Sequence, residues 1–454
     1  MTRSVLILLI FTLFGVLAEP IVYENSNVIK TVDLTKPIVK VILRLTVHTI
    51  GTENAEYVVA IPKHDFDHLS YIEANSSKKM PLSIKFMKMD EENGVALYSI
   101  GNPKEIVDKS VFSVTYYLTH VLESLPAYVK QDETPKYVYN DLLMVQSPYT
   151  TLSQEIRYKL PSSSYESVTK DAKLSVQDSV ITYGPYASMD PFSSKKTVRL
   201  HFSSLAHFIT FDKVEREIEV SHWGNVAIEE VIHARNSGTP LTGEFSRLDY
   251  FKSDPDQISA WEILTGRIDK RAFDIYYRDI IGNITTSNVR KEADGVNVEL
   301  TMRFPMMGGW KNEFYWGYNL PSGRVLKKQG SRFSLKVPYS TPITNADVRE
   351  LSVRVILPEC VKNVRFVLPE GVAQPTLDYR YTYLDSSFEG RPVYEFKMSN
   401  LIDVQKGDTI TVSYDLNPIM LWREPLMCIS AFFVIFLVKA VVKKLYGVNK
   451  EKKD

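Results

Sequence analysis

Val39-Lys-Val-Ile-Leu-Arg-Leu-Thr-Val-His48 is the stretch that decides the fold. Val39, Val41, Leu43, Leu45 and Val47 fall on one side of an extended chain, and Lys40, Arg44, Thr46 and His48 on the other. Strict alternation of this kind is the mark of a half-buried strand, because successive side chains of a strand point to opposite faces. The same period of two returns at Val298/Leu300/Met302/Phe304, at Leu351/Val353/Val355/Leu357 and at Ile410/Val412/Tyr414. Asn93-Gly94, Asp294-Gly295 and Glu370-Gly371 supply turn signals between such runs. Twenty-six Tyr and 21 Phe strengthen the strand bias. Outside the two ends, 3.6-residue periodicity is scarce. The body is therefore expected to be mainly β, built as sandwiches.

The 454 residues carry 54 Lys+Arg against 54 Asp+Glu, so no basic surplus exists to neutralise phosphates and nucleic acid is not an expected partner. Two cysteines exclude a disulfide-rich scaffold and zinc-ribbon spacings. Residues 1–18 have the three parts of a secretory signal: Arg3, the apolar run Val5–Phe14, and Val16 and Ala18 before a cleavage point. At the other end Leu426–Val438 carries no charge, and Lys439 can snorkel while Ala440–Val442 extends the run. Residues 425–442 are therefore read as a transmembrane helix, with Trp422 as an interfacial anchor. The tail that follows is basic, which keeps it on the cytoplasmic side and turns the body outward or into a lumen. Lys450 and Lys452 stand five and three positions from the C-terminus, a pattern resembling dilysine-type retrieval signals of the endoplasmic reticulum. Cys428 lies in the span, which leaves Cys360 alone in the lumenal part. Its strand-like surroundings predict a buried small hydrophobe.

Residues 19–424 suit two β domains, 19–212 and 213–424, ahead of the span and a cytosolic tail at 443–454. A faint repeat supports the split: Val41–His48 can be laid over Val226–His233 at an offset of 185.

Catalytic signatures are missing. There is no Gly-x-Ser-x-Gly, no Gly-x4-Gly-Lys-Ser/Thr, no His-Glu-x-x-His and no Cys-x-x-Cys. His64-Asp-Phe-Asp-His68 could present two imidazoles from one helix face, but Pro62 and the turn-like composition predict a solvated loop. Asp254-Pro-Asp256 imitates the metal-holding Asp-x-Asp of glycosyltransferases, and its central Pro suits a surface turn. No catalytic residue, metal site or cofactor is assigned. Asn75-Ser-Ser and Asn283-Ile-Thr are N-glycan acceptor sequons, the Thr form being the better substrate. The run Phe304–Trp310 and Phe314–Tyr318 concentrates aromatics. It could stack on sugar or anchor a partner, as an independent lumenal lectin or chaperone would, but is expected to be a buried hairpin.

Ile218-Glu-Val-Ser-His-Trp-Gly-Asn225, with Glu229-Glu230 just beyond, resembles the central signature of the ribophorin I family. So do Phe245-Ser-Arg-Leu-Asp-Tyr250, Ile275–Thr285, Arg303-Phe-Pro-Met-Met-Gly-Gly-Trp310, Gly317-Tyr-Asn-Leu-Pro321, Ser147-Pro-Tyr149 and Tyr183-Gly-Pro185, in that family's order. The resemblance implies a type I protein of the endoplasmic-reticulum membrane with a largely β lumenal part. It also implies an accessory subunit of the oligosaccharyltransferase, the complex that moves a preassembled oligosaccharide from dolichyl diphosphate to Asn of Asn-x-Ser/Thr. The implied partners are a multi-pass catalytic subunit, the other subunits and the nascent chain. The catalytic subunit carries a Trp-Trp-Asp-Tyr-Gly motif, and this chain has no Trp-Trp pair. Animal members carry a long cytosolic region after the span, so the short tail here resembles the fungal form.

Overall fold

The computed structural model describes residues 23–451 apart from 51–55, 102–108, 194, 255–257, 370, 382–384 and 386–389. The signal segment 1–18 lies outside the described residues. Alternating sequence becomes strand almost throughout. In chain order the first half lays down β1 (Tyr23–Asp33), β2 (Val39–Thr49), β3 (Tyr57–Pro62), β4 (Leu69–Ser76), β5 (Pro81–Leu82), β6 (Ile84–Asp90), β7 (Val95–Ile100), β8 (Ser110–Leu118), β9 (Glu123–Ser124), β10 (Lys136–Leu142), β11 (Thr151–Lys159), β12 (Tyr165–Val168), β13 (Leu174–Gln177), β14 (Val180–Met189) and β15 (Thr197–Ser203). The second half continues with β16 (Ile209–Val220), β17 (Asn225–Asn236), β18 (Trp261–Ile268), β19 (Phe273–Asp279), β20 (Gly282–Asn283), β21 (Asn288–Lys291), β22 (Val296–Met306), β23 (Lys311–Pro321), β24 (Leu326–Gln329), β25 (Arg332–Pro338), β26 (Ala346–Ile356), β27 (Lys362–Val367), β28 (Thr376–Arg380), β29 (Arg391–Leu401) and β30 (Thr409–Asp415).

Each half pairs one eight-stranded sheet with two small ones. The first large sheet runs β13-β14-β11-β1-β2-β8-β4-β5, and the second, read from its far edge, β28-β29-β26-β16-β17-β23-β19-β20. Every strand of the second is the strand of the first advanced by fifteen. The small sheets obey the same rule: β12-β15-β10-β9 answers to β27-β30-β25-β24, and β3-β7-β6 to β18-β22-β21. Even the parallel pair recurs, β1 with β11 and β16 with β26, in otherwise antiparallel large sheets. Two copies of one fold thus make up the body among the described residues.

The register corrects the overlay read from sequence. β1 carries a bulge between Asn25 and Asn27, and β16 one between Phe211 and Lys213. Aligning the bulges sets Lys30 on Arg216. Their partners across the hairpin, Leu43 and Glu230, are then equivalent at an offset of 187, not 185. Alternation repeats every two residues, so a slip of two leaves the apolar pattern intact, and only the bulge distinguishes the registers.

In both halves the large sheet packs its apolar face onto the small sheets, giving two separate cores. One gathers Val41, Leu43, Tyr57, Tyr139 and Leu200, and the other Ile218, Ile228, Leu300, Trp316 and Val412. The halves meet at Asn400, whose amide donates to Leu69 O at 3.0 Å and accepts from Thr119 Oγ1 at 2.7 Å. Nearby, His120 Nε2 lies 3.0 Å from Asp347 Oδ2.

Four helices punctuate the described strands: α1 (Lys63–Asp67), α2 (Arg247–Lys252), α3 (Ser322–Val325) and α4 (Arg423–Glu451). Ser246 caps α2, its Oγ accepting from Asp249 N at 3.3 Å. A single 3-10 turn, Pro418–Trp422, joins β30 to α4. Pro425–Lys444 is long and apolar enough to cross a membrane, and none of its apolar window is buried against the other described residues. The helix does not stop at 442 but continues as one rod to Glu451.

Candidate functional site

The signature Ile218–Asn225 is the hairpin between β16 and β17. Its turn, Ser221-His-Trp-Gly224, closes with Ser221 N donating to Asn225 O at 3.0 Å and Trp223 N to Ser221 Oγ at 3.2 Å. Gly224 takes φ +136°, which only glycine adopts freely. His222 turns inward. Its ring meets Phe333 edge-on at 4.5 Å, and its Nε2 lies 3.0 Å from the Tyr414 hydroxyl. Burial, with the Lys328 ammonium nearby, pushes the imidazole down to about 4, so it is neutral at neutral pH. Trp223, by contrast, is 61% exposed.

Beneath the turn sits a buried ionic network. Arg216 Nη1 donates to Glu230 Oε1, and both side chains are 1% exposed. Glu230 Oε2 accepts from Trp316 Nε1 and from Thr341 Oγ1, each at 2.8 Å, while Arg216 Nη2 reaches the Tyr318 hydroxyl at 3.4 Å. The network thus joins β16, β17 and β23 to the segment after β25. Glu229, one residue earlier, faces the other side of the sheet and accepts from the Tyr276 hydroxyl. Gly317 makes room for that ring, since a Cβ there would overlap the Tyr276 hydroxyl. Sequence reasoning passed over Arg216, although a cation between the inward residues Val214 and Ile218 breaks the apolar pattern and could have been noticed.

The first half holds a comparable group. Lys30 Nζ donates to Asp141 Oδ1 at 2.7 Å, and Asp141 Oδ2 accepts from the Tyr158 hydroxyl at 2.9 Å. Burial raises the Asp141 carboxyl against the pull of Lys30.

The aromatic run is buried only in its second part, Phe304 being 39% exposed, and it is not a hairpin. β22 belongs to a three-stranded sheet and β23 to the large one, so Met307–Trp310 is a corner between sheets. Phe314, Trp316 and Tyr318 are core residues, which removes them as a sugar-stacking platform. Gly308 is required at the corner, because a Cβ there would run into Thr239 O. Trp310 packs on Phe245 at 5.2 Å, linking two further family-like segments.

The His64–His68 stretch is corrected from loop to helix, being the one-turn α1. The two imidazoles lie 5.5 Å apart, but Asp65 turns into the core, accepting from the Tyr116 hydroxyl at 3.0 Å. Among the described residues no group of three or more His, Cys, Asp or Glu could hold a metal. Of Asp254-Pro-Asp256, Pro255 and Asp256 lie outside the described residues. Cys360 is also corrected. It is exposed, in a turn after β26 at φ +63°, and its Sγ accepts from Arg423 Nη1 at 3.0 Å. Pro358 ends the strand before it, so the apolar run does not reach the cysteine.

The sequons fall on equivalent hairpins, Asn75 near the end of β4 facing β5 and Asn283 in β20 facing β19. Asn283 is exposed, its Oδ1 accepting from Arg278 Nε at 2.6 Å, and Asn75 is half-buried. Lys450 lies in the last turn of α4, and Lys452 is outside the described residues.

A family model described as Ribophorin I matches residues 23–443. The Arabidopsis thaliana protein named dolichyl-diphosphooligosaccharide–protein glycosyltransferase subunit 1A is 34% identical over 447 residues, 95% of this chain and 72% of that protein. Subunit 1 of Caenorhabditis elegans is 33% identical over 96% of this chain and 75% of its own length. Subunit 1B of Oryza sativa is 33% identical over 90% and 88%. Among solved structures, native yeast LTA4 hydrolase matches at TM-score 0.27 and 7% identity, over 40% of this chain and 29% of that one. An M1 zinc metallopeptidase from Deinococcus radiodurans gives 0.26 and 9%, over 46% and 42%. Likeness that slight carries no argument. The match along nearly the whole chain does: the chain belongs to the ribophorin I family.

Proposed function

We propose that the chain is an accessory, non-catalytic subunit of the oligosaccharyltransferase complex, acting in protein N-glycosylation. It is anchored in the endoplasmic-reticulum membrane by α4, with the duplicated β body in the lumen. The observation that carries this is the alignment, over 90% or more of this chain, with relatives named as subunit 1 of that transferase. The body is compatible with a scaffold. Arg216 and Glu230, the charged groups beneath the family signature, hydrogen-bond within the core where no substrate reaches. The chain's partners are then the multi-pass catalytic subunit and the other subunits, and its lumenal surface engages nascent polypeptide. Lys450 and Lys452 serve as the retrieval signal, and Asn283 and Asn75 as glycan acceptors.

The test is purification of the tagged full chain from membranes in mild detergent, with identification of what comes with it. A multi-pass transferase subunit in stoichiometric amount is expected. Recovery of the chain alone contradicts the proposal.

A further inference from the structure

Trp223 is the large aromatic of the family signature that the core does not use. Ser221 and Gly224 close the turn, His222 fills the space against Phe333 and Tyr414, and the indole is left in the open. Its position along the molecule is informative. Trp223 lines a cleft of about 340 Å³ together with Met420, Leu421 and Arg423, the residues that lead into α4. The connection has little slack. Asn417 Oδ1 caps Ile419 N at 3.1 Å, and Arg423 Nη1 is held by Cys360 Sγ at 3.0 Å and lies 3.6 Å from Glu359. The signature turn is therefore fixed at the level where the spanning helix begins.

At that level Ile419 and Trp422 are exposed as well, Trp422 at 63%. A tryptophan left facing water exposes a large apolar surface, but at the boundary of a bilayer its ring sits among headgroups with its N–H still hydrated. Lys328 stands close to His222 of the turn, its ammonium 5.4 Å from the Phe333 ring centre, and is itself exposed. Exposed tryptophans with a cation near one of them are the chemistry that a phospholipid interface recognises.

We propose that the Ser221–Gly224 turn is a membrane-docking element, with Trp223 seated in the lipid headgroup layer beside Trp422. The body would then stand on the bilayer at two points, the start of α4 and the signature turn, which restrains its tilt. The proposal rests on α4 crossing the membrane, and the test separates the two.

The full-length chain is reconstituted in phosphatidylcholine vesicles whose acyl chains carry bromine near the glycerol, a short-range quencher of indole fluorescence. Trp261 and Trp316 are buried and Trp310 is half-buried, so in the Trp422→Phe chain quenching reports Trp223. Quenching is expected to persist in Trp422→Phe and to be lost when Trp223→Phe is added. An unquenched Trp422→Phe chain, with Trp223→Phe still quenched through Trp422, leaves the anchor standing and overturns the docking. No quenching in either single variant overturns the anchor, and the docking with it. A Trp223 untouched by lipid but shielded from iodide once the complex assembles assigns the turn to a protein partner, and also overturns the proposal.

Discussion

Lys30 and Arg216 hold the same place in the two halves of the body: each is the second inward residue after the bulge in the strand that pairs in parallel at the centre of its large sheet. Both are buried cations. Their anions come from different strands, Asp141 on β10 for Lys30 and Glu230 on β17 for Arg216. The charge occupies the same position in both halves, but the group that neutralises it lies on a small sheet in the first and on the large sheet in the second.

Removing one partner of a buried pair leaves the other charge without compensation, a cost of about 3–5 kcal/mol. Arg216→Met and Glu230→Gln are each expected to destabilise by that amount in urea unfolding of the detergent-solubilised chain, and combining them to cost less than the sum. Glu217→Gln breaks only the solvent-accessible, partly exposed pairs with Arg354 and Arg380, and should cost no more than about 1 kcal/mol. Equal losses for Glu217→Gln and Glu230→Gln would refute this account of the core.

Gly308→Ala drives a methyl into Thr239 O at the corner between β22 and β23, where backbone meets backbone and neither side is flexible. A loss of about 1–3 kcal/mol or more is expected. Gly323→Ala meets nothing within 4 Å and has no positive φ, so its melting temperature should match the wild type. A melting temperature unchanged in Gly308→Ala would show that the corner can shift.

His222 titrates near 4 in the folded chain, against an ordinary 6.5. Between those values the unfolded chain binds the proton and the folded one does not. The stability His222 contributes is therefore whole above about pH 6.5 and is lost as the pH falls toward 4. Unfolding midpoints measured across that window should decline less steeply in His222→Phe than in the wild type. Parallel curves would contradict the inward placement of the ring.

Asn283→Gln should remove one endoglycosidase-sensitive step in gel mobility, and Asn75→Gln a second. The two sequons lie on equivalent edge hairpins, β19–β20 and β4–β5, where a glycan extends away from the sheet. Unchanged mobility of Asn283→Gln would remove the exposed sequon from the account.

The strands were legible because alternation is a local property: Val39–Val47 and Leu351–Val355 read as strands and are strands. The duplication was legible only in outline. Its register depends on two bulges, and a bulge such as that between Phe211 and Lys213 leaves no apolar signature. Sheet membership was hidden for a related reason, since nothing in Met306–Lys311 says that the chain changes sheets at Gly308 rather than turning back. Cys360 and Asp65 were misjudged because a single left-handed turn and a single helical turn are set by their surroundings. Of the signature, the sequence showed the family resemblance but not the hairpin that Ser221–Gly224 closes. Nor did it reveal that His222 packs inward while Trp223 stays exposed, because that depends on Tyr414, nearly two hundred residues downstream.

The central claim is that this chain serves the transferase without performing the transfer. The direct measurement is oligosaccharide transfer from a dolichyl-linked donor to an Asn-x-Thr peptide. It is made on the mildly purified complex and on this chain after its partners have been stripped away. Transfer by the complex, none by the separated chain and recovery on adding the partners back is the predicted result. Transfer by the separated chain, or a complex equally active without it, would contradict the account.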